Sequence, residues 1–392
     1  MLELVKKREC TGCTACANVC PRQCIQMRSD NTGFMFPEVV EVLKCVDCGA
    51  CERVCPILKE NKENEISGYV TEAYAAYTKD EYTRLNSTSG GIFSELAISV
   101  LEASGCVYGA SYDEDGTVRH IQIDGKEELE KLRGAKYSQS ILGNSFQKIM
   151  KNLDEGKMVL FSGMPCQVAG LKSFLRKDYG NLICIDFVCH GVPSPMVWDK
   201  YIYYRTHKDN HGIFPKTINL RNKESGWSHY SYSVEFKYPN GNRYLCQNNR
   251  DSFMRLFVGD YILRECCGDC HFKGYDRVSD ITLGDFWGIW DVDPEMDDNK
   301  GTSLILTHTQ KGENLLKAIS RNIKCKQVTL EQASYRNQSM LKSSNHKECR
   351  ESVLKAIAES DFEAVRFCIQ DGTTKKDIVN EIMEKIRRKF RR

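Results

Sequence analysis

No stretch of the 392-residue chain approaches the roughly 18 consecutive apolar residues of a membrane-spanning helix. The start, Met1 to Cys10 with Lys6, Lys7 and Arg8, lacks the apolar segment of a secretory signal. Both absences lead to the expectation of a cytoplasmic protein. Charge of one sign is also missing: the net charge is +2, so no global field argues for nucleic acid as a partner. There is no G-x-G-x-x-G fingerprint, no phosphate-loop motif and no internal repeat beyond two cysteine runs. What remains is an ordinary globular composition, 41% hydrophobic and 28% charged, in a length that suits two or three domains.

Cysteine is the exception to these absences, with twenty in the chain. A secreted disulfide scaffold is short and carries a signal; this chain is long, and many of its cysteines stand in C-x-x-C spacing. In a reducing compartment such pairs bind metal more often than each other. Two runs carry the pattern: Cys10, Cys13, Cys16 and Cys20-Pro21, then Cys45, Cys48, Cys51 and Cys55-Pro56. This is the bacterial two-cluster ferredoxin spacing that serves as a standard example, in which the fourth cysteine of each run ligates the other cluster. One 4Fe-4S cluster is then expected on Cys10, Cys13, Cys16 and Cys55, the other on Cys45, Cys48, Cys51 and Cys20. Zinc also uses C-x-x-C pairs, but a third cysteine per run and the Cys-Pro ending are superfluous for it. Gly12 and Gly49 lie within the loops, where backbone must approach the cluster. Cys24 reads as a small buried filler. The module, residues 1–60, ends in a polar linker at 59–68.

Beyond the linker, short apolar runs alternate with helical periodicity. Strands are expected at Ala73–Tyr77, Val107–Tyr112, Thr117–Ile123, Met158–Phe161 and Leu182–Val188. Helices are expected at Ile92–Ala103, Ser145–Leu153 and Gln167–Leu175. The fold class is therefore α+β: a small ferredoxin-like domain followed by a mixed α/β core. Ser87, Thr88, Ser89, Gly90 and Gly91 open a helix; from this segment alone an anion site and a simple N-cap fit equally. Cys166 and Cys189 stand in loops after expected strands, and Cys266, Cys267 and Cys270 follow later. Buried free cysteines are common, so each alone says little; together they are enough for a third cluster, which spacing alone leaves open.

These segments also resemble a known family. Ser87-Thr88-Ser89-Gly90-Gly91, Lys136-Tyr137-Ser138-Gln139-Ser140, Phe161 to Gln167, Cys189 to Pro195, Leu263 to Cys270 and Ser279 to Gly288 occur in order. The chain resembles, over roughly residues 1–335, the beta subunits of coenzyme F420-dependent hydrogenases and dehydrogenases, which are flavin-containing iron–sulfur proteins. The resemblance implies an FAD in the core, with 69–150 and 151–335 as the two parts of its domain. It also implies a third 4Fe-4S cluster on Cys166, Cys189, Cys267 and Cys270, Cys266 being a spectator. The serine/glycine segment, Lys136 and Tyr137 would line the flavin, while His190 and Asp285, with Trp287 nearby, are candidate catalytic residues. A packed turn explains His190, Asp285 and Trp287 equally simply, and a solvated lysine explains Lys136.

The implied activity links hydride chemistry at a flavin to one-electron carriers: electrons from a ferredoxin-type or other redox partner pass through clusters to FAD and a small-molecule substrate. Relatives with the fused ferredoxin occur in bacteria not expected to make the deazaflavin, often beside polysaccharide-assembly genes. Deazaflavin oxidation is therefore one alternative, and a non-catalytic role in electron transfer to a partner enzyme is another. In the remaining segment, 336–392, Ile378, Ile382, Met383, Ile386 and Phe390 share a helical face that ends in a basic cluster. That pattern suits peripheral contact with an anionic membrane, or packing on its own domain with the basic end complementing the helix dipole.

Overall fold

The computed structural model describes residues 5–58, 69–228, 231–360 and 362. The N-terminal module pairs β1 (Ile25–Ser29) with β2 (Met35–Val39) as an antiparallel hairpin, and short helices Ala15–Val19 and Ala50–Arg53 follow the two cysteine loops. Both loops use the same backbone twice over. Gly12 and Thr14 in the first, and Asp47 and Gly49 in the second, are all left-handed, with φ of 69°, 64°, 52° and 65°. Glycine adopts this conformation freely and other residues resist it. Each loop therefore places its glycine at a different one of the two turning points and lets a non-glycine residue bear the strain at the other.

The core is built on an eight-stranded sheet. Its strands are β3 (Glu72–Thr78), β4 (Cys106–Tyr112), β5 (Val118–Ile123), β6 (Val159–Ser162), β7 (Leu182–Phe187), and, from the second half, three more. Between these groups, β8 (Thr217–Asn222), β9 (Ser233–Lys237) and β10 (Arg243–Gln247) form a separate antiparallel sheet in the order β10-β9-β8. The large sheet is completed by β11 (Ile281–Asp285), β12 (Ser303–Thr307) and β13 (Ile323–Val328). Its order is β13-β3-β12-β11-β7-β6-β4-β5, so both expected parts of the core contribute to one sheet.

The middle of this sheet is parallel: β4 with β6, β6 with β7, and β7 with β11. Such strands are buried on both faces and read as unbroken apolar runs. Val107, Leu160, Ile183 and Ile185 meet helix Ile92–Glu102 on one face. Cys106, Tyr108, Val159, Phe161, Leu182 and Cys184 meet helices Ser145–Asp154 and Pro165–Leu175 on the other. The carboxyl ends of the parallel strands share one edge, where α/β sheets gather ligands.

The cluster module packs against that second layer. Gly170 lies against Cys13: a Cβ there would stand 2.8 Å from the Cys13 Cβ and 2.9 Å from its sulfur. Arg264, only 2% exposed, donates to the Cys10 carbonyl (2.7 Å), the Gln139 side chain (3.0 Å) and the Met35 carbonyl (3.0 Å). Its guanidinium also lies over Phe36, 4.2 Å from the ring centre. Asn18 donates to the Gly143 carbonyl at 2.8 Å. One residue, Arg264, thus holds both the cysteine loop and the hairpin against the core, with each donor matched to an acceptor that is hidden from water. At the other end, helix Arg350–Glu359 buries Leu354 and Ile357 in the aromatic layer around Trp198, Tyr201 and Phe253. The amphipathic pattern at 377–392 lies outside the described residues.

Candidate cluster and cofactor sites

Five of the eight cysteines of the N-terminal runs line one hollow. Cys10, Cys13, Cys16 and Cys55, together with Cys51, line a hollow enclosing about 420 Å³ of empty space. Burial pushes the Cys13 thiol up to about 11, and the nearby Cys55 and Cys10 add to the rise. Cys16 is raised by burial and then by Cys13, Cys10 and Cys55. Cys55, from the second run, therefore stands among the first three cysteines. Cys20 in turn raises the Cys51 thiol, after burial. The Cys20 sulfur accepts the backbone N–H of buried Cys24 at 3.2 Å. Cys48 is exposed, whereas Cys10, Cys13 and Cys51 are buried.

A second hollow, of about 480 Å³, is lined by Cys166, Cys189, Cys267 and Cys270, with Cys266 beside them. These four come from three places: the turn after β6, the turn after β7, and the short helix Glu265–Asp269 with its following residue. The Cys166 thiol is raised well above its ordinary value by burial and then by Cys189, Cys267, Cys270 and Cys13. Cys189 is pushed up to about 12 by burial, then by Cys267. The first cause of the rise at Cys267 is a hydrogen bond with the Cys266 thiol, so Cys266 reaches the group through a ligand candidate. The two hollows adjoin, since Thr11 and Ile57 line both. Among the described residues, no group of three or more His, Cys, Asp or Glu side chains converges on a point suited to a single metal ion; in both hollows the thiols ring open space. Crowded, buried thiols hold their protons, a situation that bound iron reverses by taking them as thiolates.

A third cluster of polar groups lies beyond the ends of β4 and β11. Asp285 ends β11 and pairs with Arg221 of β8 at 2.9 Å, both side chains nearly buried. Arg221 donates to the Tyr137 hydroxyl at 3.4 Å and lies over the rings of Tyr232 (4.0 Å) and Trp287 (5.0 Å). Tyr137 in turn packs on Phe257. Arg221 Nε and Nη2, Asp285 Oδ1 and the Tyr112 hydroxyl are buried and make no hydrogen bond among the described residues. Such groups are costly unless something meets them. Lys136 donates to the Arg133 carbonyl at 2.8 Å, and burial, then Arg133, pulls its ammonium down to about 7. Lys223, pulled down to about 7 by burial and then by Arg84, donates to the Ser89 and Arg84 carbonyls. Lys223 connects the serine/glycine segment to this cluster.

The segment itself is more occupied than its sequence suggests. Ser89 donates to the Thr302 carbonyl at 2.9 Å, Ser87 to the Thr83 carbonyl at 2.6 Å, and the Gly90 N–H to the Ser303 hydroxyl at 2.9 Å. Gly91, with φ of 84°, is the left-handed residue that starts helix Ile92–Glu102. A Cβ on Gly90 would lie 2.4 Å from the Ala76 carbonyl oxygen, so the glycines serve close packing on the sheet as well as the turn. His190 sits apart from the Arg221 group, 2.8 Å from Asp260 and edge-on to Phe257. Arg221, Tyr112, Lys223 and buried His120 were not singled out by sequence reasoning. His120 donates from Nε2 to the Ser162 carbonyl at 2.9 Å, and burial lowers it to about 4, so it is neutral. No motif marks these residues; only the tertiary contact of β8 with the end of β11 brings Arg221 to Asp285 and Tyr137.

Comparison with known proteins identifies two regions of the chain. Residues 9–58 match the family described as a 4Fe-4S dicluster domain. Residues 156–333 match the family described as the C terminus of the coenzyme F420 hydrogenase/dehydrogenase beta subunit. Among solved structures, the chain is similar to a chain of the xenon-derivatised F420-reducing NiFe hydrogenase complex from Methanosarcina barkeri, at 16% identity over 77% of this chain and 92% of that one, with a TM-score of 0.45. No curated protein matches. The chain thus carries a match to a 4Fe-4S dicluster domain ahead of a match to the C terminus of the coenzyme F420 hydrogenase/dehydrogenase beta subunit, and it is an iron–sulfur protein of oxidoreductase type.

Proposed function

We propose that this protein is an iron–sulfur flavoenzyme with three 4Fe-4S clusters and one FAD, passing electrons between a redox partner protein and a small organic substrate. The observation that carries the reading is the adjoining pair of thiol-lined hollows, with Cys13 close enough to influence Cys166 and with Thr11 and Ile57 in both walls. The order along the chain of sites follows from this contact. Exposed Cys48 faces a partner; the group of Cys10, Cys13, Cys16 and Cys55, with Cys10 and Cys13 buried, comes next; Cys166, Cys189, Cys267 and Cys270 adjoin it on the core side. Bound FAD would supply two-electron exchange with the substrate, whereas clusters carry single electrons.

The residues around Tyr137 fit such a cofactor. The free donors of Arg221 and the Tyr112 hydroxyl seek partners, and Asp285 keeps the Arg221 guanidinium oriented. Arg221 carries positive charge a diphosphate requires, and the Lys136 and Lys223 amines, drawn toward neutrality by burial, would be recharged by a bound anion. The backbone at Ser87–Gly91, tied to Lys223, would serve the same end. Tyr137 and Trp287, both half-buried, offer flat apolar surface. Asp285 is the nearer candidate for a proton-handling role; His190, held by Asp260, would act on the surrounding loop.

Anaerobic purification with iron, sulfide and flavin analysis tests the reading. About twelve irons and one FAD per chain are expected from three clusters and a flavin; eight irons without flavin would reduce the protein to a two-cluster carrier. The beta-subunit description of residues 156–333 favours a second reading, a subunit that feeds electrons to a partner enzyme. Flavin that bleaches only after a second protein is added would select it. Turnover of a small molecule by the purified chain with reduced ferredoxin would exclude it, and turnover of the deazaflavin would identify that coenzyme as the substrate.

A further inference from the structure

The hollow ringed by Cys166, Cys189, Cys267 and Cys270 also contains two cations, Lys273 and Arg277, and one anion, Glu9. The two cations differ in their bonding. Lys273 donates to the carbonyls of Cys189 (2.5 Å) and Ser339 (2.7 Å), so its ammonium is tied to the backbone that carries a cysteine. The Arg277 side chain is only 2% exposed, and its Nε donates to the Gly274 carbonyl at 3.0 Å. Its two terminal nitrogens, Nη1 and Nη2, are buried and make no hydrogen bond among the described residues. The nearest counter-charge is Asp186 of β7, fully buried, whose Oδ2 lies 3.5 Å from Nη1. This is close enough for charge pairing and longer than an ordinary N–H···O hydrogen bond.

A buried guanidinium with unmet donors is expensive unless an acceptor faces it. Asp186 is not a complete answer: its Oδ2 likewise makes no hydrogen bond among the described residues, while its Oδ1 accepts from the Thr282 hydroxyl, which also contacts His308 at 2.8 Å. Asp186 is thereby fixed on the sheet side of Arg277, with the hollow on the other.

Resting on the third-cluster reading above, we infer that Arg277 and Asp186 form a paired electrostatic control of that cluster's reduction potential. Arg277 offers its free N–H groups and positive charge to the cluster, and Asp186 opposes that charge from behind. Reduction adds one electron, and so one negative charge, to a water-poor site. A neighbouring cation favours the added charge and a neighbouring anion disfavours it. No proton transfer or bond change is involved; the pair sets only how readily the electron is accepted.

The two partners therefore have opposite signs, which a merely structural role would not produce. The test is a redox titration of the anaerobic, cluster-loaded full chain followed by electron paramagnetic resonance, with the third cluster assigned by its absence from Cys189→Ser. In Arg277→Gln the third cluster should become harder to reduce by tenfold or more in equilibrium constant, about 59 mV for one electron. In Asp186→Asn it should become easier to reduce, and Arg277→Lys should fall between Arg277→Gln and the parent. The two N-terminal clusters should not shift. Shifts of the same sign in Arg277→Gln and Asp186→Asn, or none in either, would overturn the inference while leaving the cluster in place. If Arg277→Gln fails to load its iron, the signs in Arg277→Lys and Asp186→Asn decide. A parent protein with eight irons would remove the third cluster itself, and this inference with it.

Discussion

The two thiol-lined hollows stand wall to wall, yet they are assembled in different ways. The N-terminal groups come from two short loops whose cysteines are spaced two and three residues apart, with left-handed turns at Gly12, Thr14, Asp47 and Gly49. The group in the core draws Cys166 and Cys189 from the ends of neighbouring parallel strands and Cys267 and Cys270 from a separate segment some 80 residues later. The first kind of site carries its geometry in the local chain. The second exists only when β6 and β7 lie side by side and the Glu265–Asp269 segment is held across their ends, as by the Arg264 N–H bonded to the Val192 carbonyl at 2.8 Å. A local site tolerates a loosened core; a site shared among strands does not.

The strongest test of that contrast is Cys189→Ser. It should lower the iron content from about twelve to about eight per chain while leaving the two ferredoxin-type signals intact; loss of all iron would show that the regions are not separable. Next comes Gly170→Ala, at the contact between them. A helical alanine is ordinarily favourable by about 1 kcal/mol over glycine. Here its Cβ would meet Cys13 at 2.8 Å, so the expected result is a perturbed or lost N-terminal cluster at Cys13 with the other one retained. An unchanged resonance spectrum would mean that the module can move away without consequence.

Arg264→Ala tests the docking more gently. Three buried acceptors would lose their donor, at a cost on the order of 3 kcal/mol. The N-terminal module should then become protease-sensitive before the core does, as followed by limited proteolysis. Simultaneous cleavage of both would show that they unfold as one unit. The smallest effect is expected for Cys266→Ala: iron content unchanged, with a small alteration of the third cluster's spectrum through the lost contact with Cys267. Loss of four irons would make Cys266 a ligand in place of its neighbour.

Much of this architecture was readable before folding. The strands expected at Val107–Tyr112 and Leu182–Val188, and the helices at Ser145–Leu153 and Gln167–Leu175, fall within a residue or two of those observed. Strands buried on both faces are apolar without interruption, and helices on a sheet show one apolar face. Less readable were the three strands β8–β10, whose mixed sequence, as in Arg221-Asn222 and Arg243-Tyr244, presents no clear alternation. The serine/glycine segment illustrates another limit. Its composition suits an anion, but Ser87, Ser89 and Gly90 are bonded to Thr83, Thr302 and Ser303, partners too distant in sequence, for the last two, to be foreseen.

The sequence by itself determined the dicluster module, because cysteine spacing, glycine and the Cys-Pro endings act over a few residues. It also determined the alternation of strands and helices, because burial imposes a period that can be read along the chain. Only the tertiary structure decided that Cys166, Cys189, Cys267 and Cys270 face one hollow, and that Arg277, Arg221 and Asp186 are left with unmet charge or donors beside the sites. The reason is physical: burial and charge interactions depend on distance through space, and strand order and docking set that distance.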